Sequence, residues 1–268
     1  MELTLVAFHG SKPEPLAELI NLLHSALDSQ LGSAFIGYTI DQVHATVIGL
    51  EDRLDRPEIL NAVDVNNVSS AINLEGLFLF LQEIPPLHIQ MGGYSSLNTY
   101  PFTSRGLHPY IRSFAINGTL AVSMGWPVAG ELYPMTLDSL RRDCKQFNAL
   151  HKYHNQTGDI DNDFFIVLGH VDPESVSQEK AASVQDALRQ LLAELEPLDL
   201  VVQPDDLSVV AYIDSELPIE TSVRYSLVEA LARVEDLKLL YLEHLVSNGP
   251  GNNQTPGNGK QGRGMLQD

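Results

Sequence analysis

The 268-residue chain has little cysteine, tryptophan or positive charge: one Cys, one Trp, and 16 Lys and Arg against 35 Asp and Glu. A single thiol, Cys144, excludes an internal disulfide framework, which makes the cytosol the default compartment. A formal charge of -19 excludes the broad cationic face that neutralises nucleic-acid phosphates or docks on anionic lipid. Long nucleic acid and membrane surfaces are therefore not expected partners, whereas a small phosphorylated ligand in a local pocket is compatible with that charge. No apolar run approaches the roughly 20 residues that a membrane helix needs. The opening Leu3-Thr4-Leu5-Val6-Ala7-Phe8 is strand-like and has no basic leader before it, so a cytoplasmic protein is expected.

Acid is also missing locally. Between Ile84 and Gly130 there is no Asp or Glu, while Arg105, Arg112, His88, His108 and Tyr110 lie inside that window. Two explanations fit: an anion site, with Arg able to grip phosphate through two nitrogens, or a buried aromatic-rich section that lacks acids for its own reasons. The apolar share of 44% is ample for one large core.

Along the chain, Leu16, Leu19, Ile20, Leu23, Leu27 and Leu31 fall on one helical stripe that Gly32 stops. A second amphipathic helix spans Val68 to Leu79, followed by a strand over Leu87 to Met91 and a long loop over Tyr94 to Tyr110. Strands follow over Arg112–Ile116 and Thr119–Trp126, then a helix striped by Leu137, Leu140, Cys144, Phe147 and Leu150. On it, His151 and His154 read as surface residues with no carboxylate at a metal-ligating offset. Asp159, Asp161 and Asp163 lack the Gly and distal Glu of a calcium loop, so no metal or other cofactor is expected. Phe164 to His170 reads as a strand and Val184 to Leu195 as a helix. Leu198–Val202 and Leu207–Ile213 read as a hairpin around Pro204-Asp205-Asp206. A helix near 220–234 and a strand near 237–245 complete a folded unit of residues 1–247. Residues 248–268, rich in Gly, Asn and Gln, read as a disordered tail.

The order strand–helix–strand–helix–strands occurs twice, dividing the unit into lobes of about 1–117 and 118–215, with 216–247 added at the end. The second strand of the first copy is Val43-His44-Ala45-Thr46-Val47-Ile48-Gly49-Leu50. Alternation puts His44 and Thr46 on one face, a proton carrier beside a hydroxyl donor. Taken alone, the stretch is explained better by an ordinary edge-strand histidine beside a β-former.

With this duplication, His44-Ala45-Thr46-Val47 followed by Gly49-Leu50 resembles the 2H phosphoesterase superfamily, which includes RNA 2',3'-cyclic phosphodiesterases and 2'-5' RNA ligase-like proteins. The resemblance spans about residues 1–215. It implies an α+β, bilobal fold around a central cleft, with one His-x-Thr/Ser motif from each lobe. It also implies that His44 acts as acid or base and that Thr46 holds a phosphate oxygen. The second motif departs from the family. Matching Leu168-Gly169 puts Phe165 and Val167 at its catalytic positions, and neither side chain transfers a proton. His170 lies on the opposite face unless a bulge intervenes. His88 and His108 are other candidates for the missing histidine, and Arg105, Arg112 and Tyr110 for phosphate donors. Two expectations stand: a hydrolase of small cyclic or 2'-5'-linked nucleotide esters, or an inactive member that binds a nucleotide or a protein partner. A chance match, in an unrelated α+β interaction protein, is the third.

Overall fold

The computed structural model describes residues 1–50, 72–154 and 158–247. The expected tail and most of the expected helix start at Val68 lie outside these residues. Ten strands form one antiparallel sheet: β1 (Glu2–Ala7), β2 (Phe35–Gly37), β3 (Ala45–Gly49), β4 (Leu87–Met91), β5 (Phe114–Asn117), β6 (Leu120–Pro127), β7 (Phe164–Val171), β8 (Leu198–Val202), β9 (Leu207–Tyr212) and β10 (Val223–Ser226). Their order is β10-β9-β1-β3-β7-β6-β4-β8, with β2 added to β7 and β5 to β6. The helices are α1 (Glu14–Leu31), α2 (Leu74–Gln82), α3 (Pro109–Arg112), α4 (Thr136–Asp143), α5 (Gln178–Glu194), α6 (Leu227–Ala232) and α7 (Val234–Ser247). The mixed α/β architecture agrees with the α+β expectation.

Helix α1 begins with prolines at its entry and buries Leu16, Leu19, Ile20, Leu23 and Leu27. In α2 the Asn73 side chain caps the Gly76 amide at 3.0 Å. Gly76 weakens a helix in isolation, but here Phe147 needs the space: a Cβ at this position would meet Phe147 Cδ1 at 2.9 Å. The main core lies on one face of the sheet. It gathers these helices, the Val184, Leu188 and Leu192 stripe of α5, and Leu3, Leu5, Ala45, Val47, Ile166 and Leu168 from the strands. The opposite face carries His44 and Thr46.

The sheet is strongly coiled. On a flat sheet, β8 and β9 would lie six strand spacings apart, roughly 29 Å. Only Gln203 to Asp206 join them, which limits the gap from Val202 to Leu207 to about 19 Å. Coiling of the sheet closes the difference.

Two sequence expectations are corrected. Leu198–Val202 and Leu207–Tyr212 do not form a hairpin: β8 pairs with β4, and β9 with β1 and β10. The Pro204-Asp205-Asp206 turn is real, but it is a crossing between sheet margins, closed by Asp206 Oδ2 accepting from the Gln203 amide at 2.7 Å. At the C-terminus the order is strand then helix. Ser226 caps α6 reciprocally with Glu229, and residues 237–245 are helical. The strands of 1–117 and 118–215 also intermix, since β4 pairs with β6 and β8, β5 with β6, and β2 and β3 with β7, while β9 joins β1.

Candidate functional site

The pairing Ala45↔Ile166 sets the orientation of the site. Ala45 and Ile166 are both buried in the main core, so their neighbours His44, Thr46, Phe165 and Val167 emerge together on the other face. Within this register, a two-fold operation about the pair carries His44 onto Phe165 and Thr46 onto Val167.

His44 is half-buried, and its Nδ1 lies 2.7 Å from the Gln42 carbonyl. A carbonyl only accepts, so Nδ1 carries the proton and Nε2 keeps its lone pair. Burial pushes the imidazole down to about 4, with the His9 and Lys12 charges acting in the same direction, so it is neutral at pH 7. The Thr46 hydroxyl makes no hydrogen bond to any described residue; the Thr46 backbone carbonyl accepts from Arg141 Nη2 at 3.1 Å.

Beside His44 stands a histidine that sequence reasoning missed. His9 follows β1, where Phe8 adopts a left-handed conformation (φ 62°) that turns the chain. The His9 ring is buried and meets the His44 ring edge-on, 5.7 Å between centroids. Its Nε2 donates to Leu217 O at 3.0 Å, and its buried Nδ1 has no hydrogen-bond partner among the described residues. Two cations and one acid complete this side. Lys12 Nζ donates to Gly10 O at 2.8 Å, and burial lowers its pKa to about 8, with Asp41 pulling the other way and Arg224 adding to the fall. Arg224 Nη1 would lie 3.4 Å from a Cβ at Gly10, and its Nε donates to Ser208 Oγ at 2.8 Å.

The β7 side of the face is apolar. Phe165 and Val167 pack against Tyr94, Val122, Met124 and Trp126, with Tyr100, Phe102 and Tyr133 around them. Asp163, at the start of β7, holds this cover in place. It accepts from Ser104 Oγ at 2.7 Å, Trp126 Nε1 at 2.7 Å and Arg112 Nη2 at 2.9 Å. Arg105 lies 3.7 Å from Asp163 and 3.8 Å from Asp161, with its guanidinium 4.5 Å from the Tyr153 ring centre. The arginines of the acid-free window thus meet acids from outside it, Arg112 by a hydrogen bond to Asp163 and Arg105 at ion-pair distance from Asp161 and Asp163. His88 is on this face, but three strands from β3 puts it roughly 14 Å away, and it lies 3.7 Å from Asp199. His108 bonds Asn98 O at 3.0 Å and caps the Tyr110 amide at 3.2 Å, so both serve the loop.

His170 reaches the face through a bulge. The β6–β7 register runs Leu120↔His170, Ala121↔Gly169 and then Val122↔Val167, so Leu168 is the extra residue. Leu120 and Val122 share a face, hence so do His170 and Val167. The bulged Leu168 carbonyl accepts from the Tyr38 amide at 2.9 Å and from His24 Nε2 at 2.8 Å. Gly169 is required here: a Cβ would collide with the Ile36 carbonyl oxygen. His170 Nε2 is 2.5 Å from Glu216 Oε1 and 3.1 Å from Tyr38 Oη.

Beneath the site, Arg141 is fully buried. It donates to Thr46 O, Val47 O, Asp161 O and Asp163 O, tying the motif strand to the start of β7. His151 and His154 belong to this layer and are not surface residues. His151 Nε2 is 2.7 Å from Asp161 Oδ2, and His154 Nε2 is 2.8 Å from Asp138 Oδ1. Their carboxylate partners lie on α4 and on the segment before β7, so helix-offset reasoning did not find them. Among the described residues, no group of three or more His, Cys, Asp or Glu is placed to hold a metal ion, and no helix is long and apolar enough to cross a membrane.

No protein-family model matches the chain, and no curated protein matches it. Among solved structures, TT0787 of Thermus thermophilus is similar at 12% identity, over 84% of this chain and 94% of that one. The TM-score of 0.37 is too low for that likeness to add to the geometry.

Proposed function

We propose that the protein binds a small phosphate ester, of the cyclic or 2'-5'-linked nucleotide class, on the face bearing His44 and Thr46. One observation carries this reading: a neutral imidazole with a fixed tautomer shares a strand face with the Thr46 hydroxyl, with Lys12 near enough to act on the His44 ring and Arg224 near enough to act on Lys12 and His9, in a chain whose charge is -19. Lys12 and Arg224, partly offset by Asp41, make a small local patch on an acidic protein, which favours a compact anion over a polyanion. Lys12 and Arg224 offset phosphate charge, the Thr46 hydroxyl donates to a nonbridging oxygen, and His44 Nε2 accepts from a hydroxyl or water.

Phe165 and Val167 at the related positions favour binding over fast hydrolysis, since a second proton carrier is worth roughly 10²–10⁴-fold in rate. The bulge that returns His170 to the face supports a second reading, in which His170 serves as that carrier and the protein is a slow hydrolase. Purified protein and His44→Ala would be titrated with adenosine 2',3'-cyclic phosphate by calorimetry, with turnover followed in parallel. Binding lost in the variant, with little turnover in either protein, supports the first reading. Turnover that needs both His44 and His170 supports the second. No binding and no turnover contradict both.

A further inference from the structure

The segment between β9 and β10 crosses the site and brings a carboxylate into it. Three side chains from three elements hold it: His9 Nε2 on Leu217 O at 3.0 Å, Gln42 Nε2 on Glu216 O at 3.0 Å, and His170 Nε2 on Glu216 Oε1 at 2.5 Å. Asp214 folds the turn by accepting from the Glu216 amide at 3.0 Å. Leu217 is buried with φ 53°, a left-handed backbone that a non-glycine residue adopts only under local constraint. Glu216 is the acid at the centre of this strap, and the groups it meets, an imidazole N–H and the Tyr38 hydroxyl, are those that would hold a phosphate oxygen.

We propose that Glu216 is a tethered competitor. Its carboxylate fills an anion subsite made by His170 and Tyr38, next to the His44 face, and an incoming anion has to displace it. The strap also fixes the His9 ring, since Nε2 donates to Leu217 O while Nδ1 is buried with no hydrogen-bond partner among the described residues. Both halves of the pair are partly exposed, with side-chain accessibilities of 31% for His170 and 39% for Glu216, so exchange needs no opening of the core. The proposal rests on the phosphate-ester reading of the His44 face.

The test is calorimetric titration of the full chain, Glu216→Gln, Glu216→Ala and Glu216→Ala/His170→Ala with inorganic phosphate and with adenosine 2'-monophosphate. His44→Ala serves as the reference, and thermal melting reports folding. Removing one carboxylate a few ångströms from a bound anion should tighten binding by roughly tenfold. Both single variants should show this gain, and the double variant should lose it. If the single variants bind no tighter while His44→Ala still abolishes binding, the competitor role is overturned and the site reading stands. A gain that survives in the double variant overturns the His170 subsite. Absence of binding in every protein overturns both proposals.

Discussion

Ala45 and Ile166 face each other across the junction of β3 and β7, and from that one pairing the character of the site follows. It sends His44 and Thr46 out on the same face as Phe165 and Val167. The result is a polar half on the β1 side and an aromatic half on the β6 side. The polar half keeps an imidazole, a hydroxyl and two cations. The aromatic half is sealed by the loop that Asp163 pins.

The protonation state of His44 is the first consequence. Its imidazole is held down to about 4 by burial, against an ordinary 6.5, so ring proton shifts in NMR should stay in their neutral positions from pH 8 to pH 5. A midpoint near 6.5 would contradict the burial of this ring. Phosphate bound beside Nε2 should raise that midpoint, because a dianion favours the charged form.

Stability follows with a definite sign. For a histidine whose folded pKa is depressed, the unfolded chain binds the proton first as pH falls. Stability is therefore full above about 6.5, declines between about 6.5 and about 4, and levels off below that for this group. His9 and His151 are lowered by burial as well and add to the same decline. The urea midpoint should be lower at pH 5 than at pH 7.5, by the equivalent of roughly 2 kcal/mol for the His44 shift. Equal midpoints would contradict neutral burial of these rings.

Arg141 should be the costliest single side chain to remove. Arg141→Met leaves four backbone carbonyls without their donor and Asp161 without its buried cation. Breaking such a pair costs about 3–5 kcal/mol. Chemical denaturation should register that loss, whereas the exposed Lys238→Met should change stability by less than about 0.5 kcal/mol.

The bulge at Leu168 can be tested through Gly169. In Gly169→Ala the new methyl meets Ile36 O, so β2 has to shift and His170 with it. The variant should lose stability by roughly 1–3 kcal/mol, as expected where a residue is forced into strained backbone. The His170 ring resonance should also move. An unchanged His170 environment in a stable variant would argue against the bulge.

Some of this was legible in the sequence, for identifiable reasons. Period-two alternation is local, so the shared face of His44 and Thr46 and the positions of Phe165 and Val167 could be read directly. The bulge could not, because it is held by Tyr38 and His24, well over a hundred residues away in the chain. His9 escaped notice because its partner, Leu217 O, lies 208 residues along. Arg105 and Arg112 look like free cations when only their own acid-free window is inspected, but the fold brings Asp161 and Asp163 to them. The Leu237 to Leu245 run has apolar residues at both strand and helix spacings, so its pattern alone could not identify it as part of α7.

The central claim is that the His44 face receives a small phosphate ester. Its most direct test is a titration of labelled protein with adenosine 2',3'-cyclic phosphate, following the His44 ring and the Thr46 and Lys12 amides by NMR. Saturable shifts concentrated at these three residues and at His9 are expected, and His44→Ala should abolish them. Shifts confined to the aromatic half, or none at millimolar ligand, would contradict it.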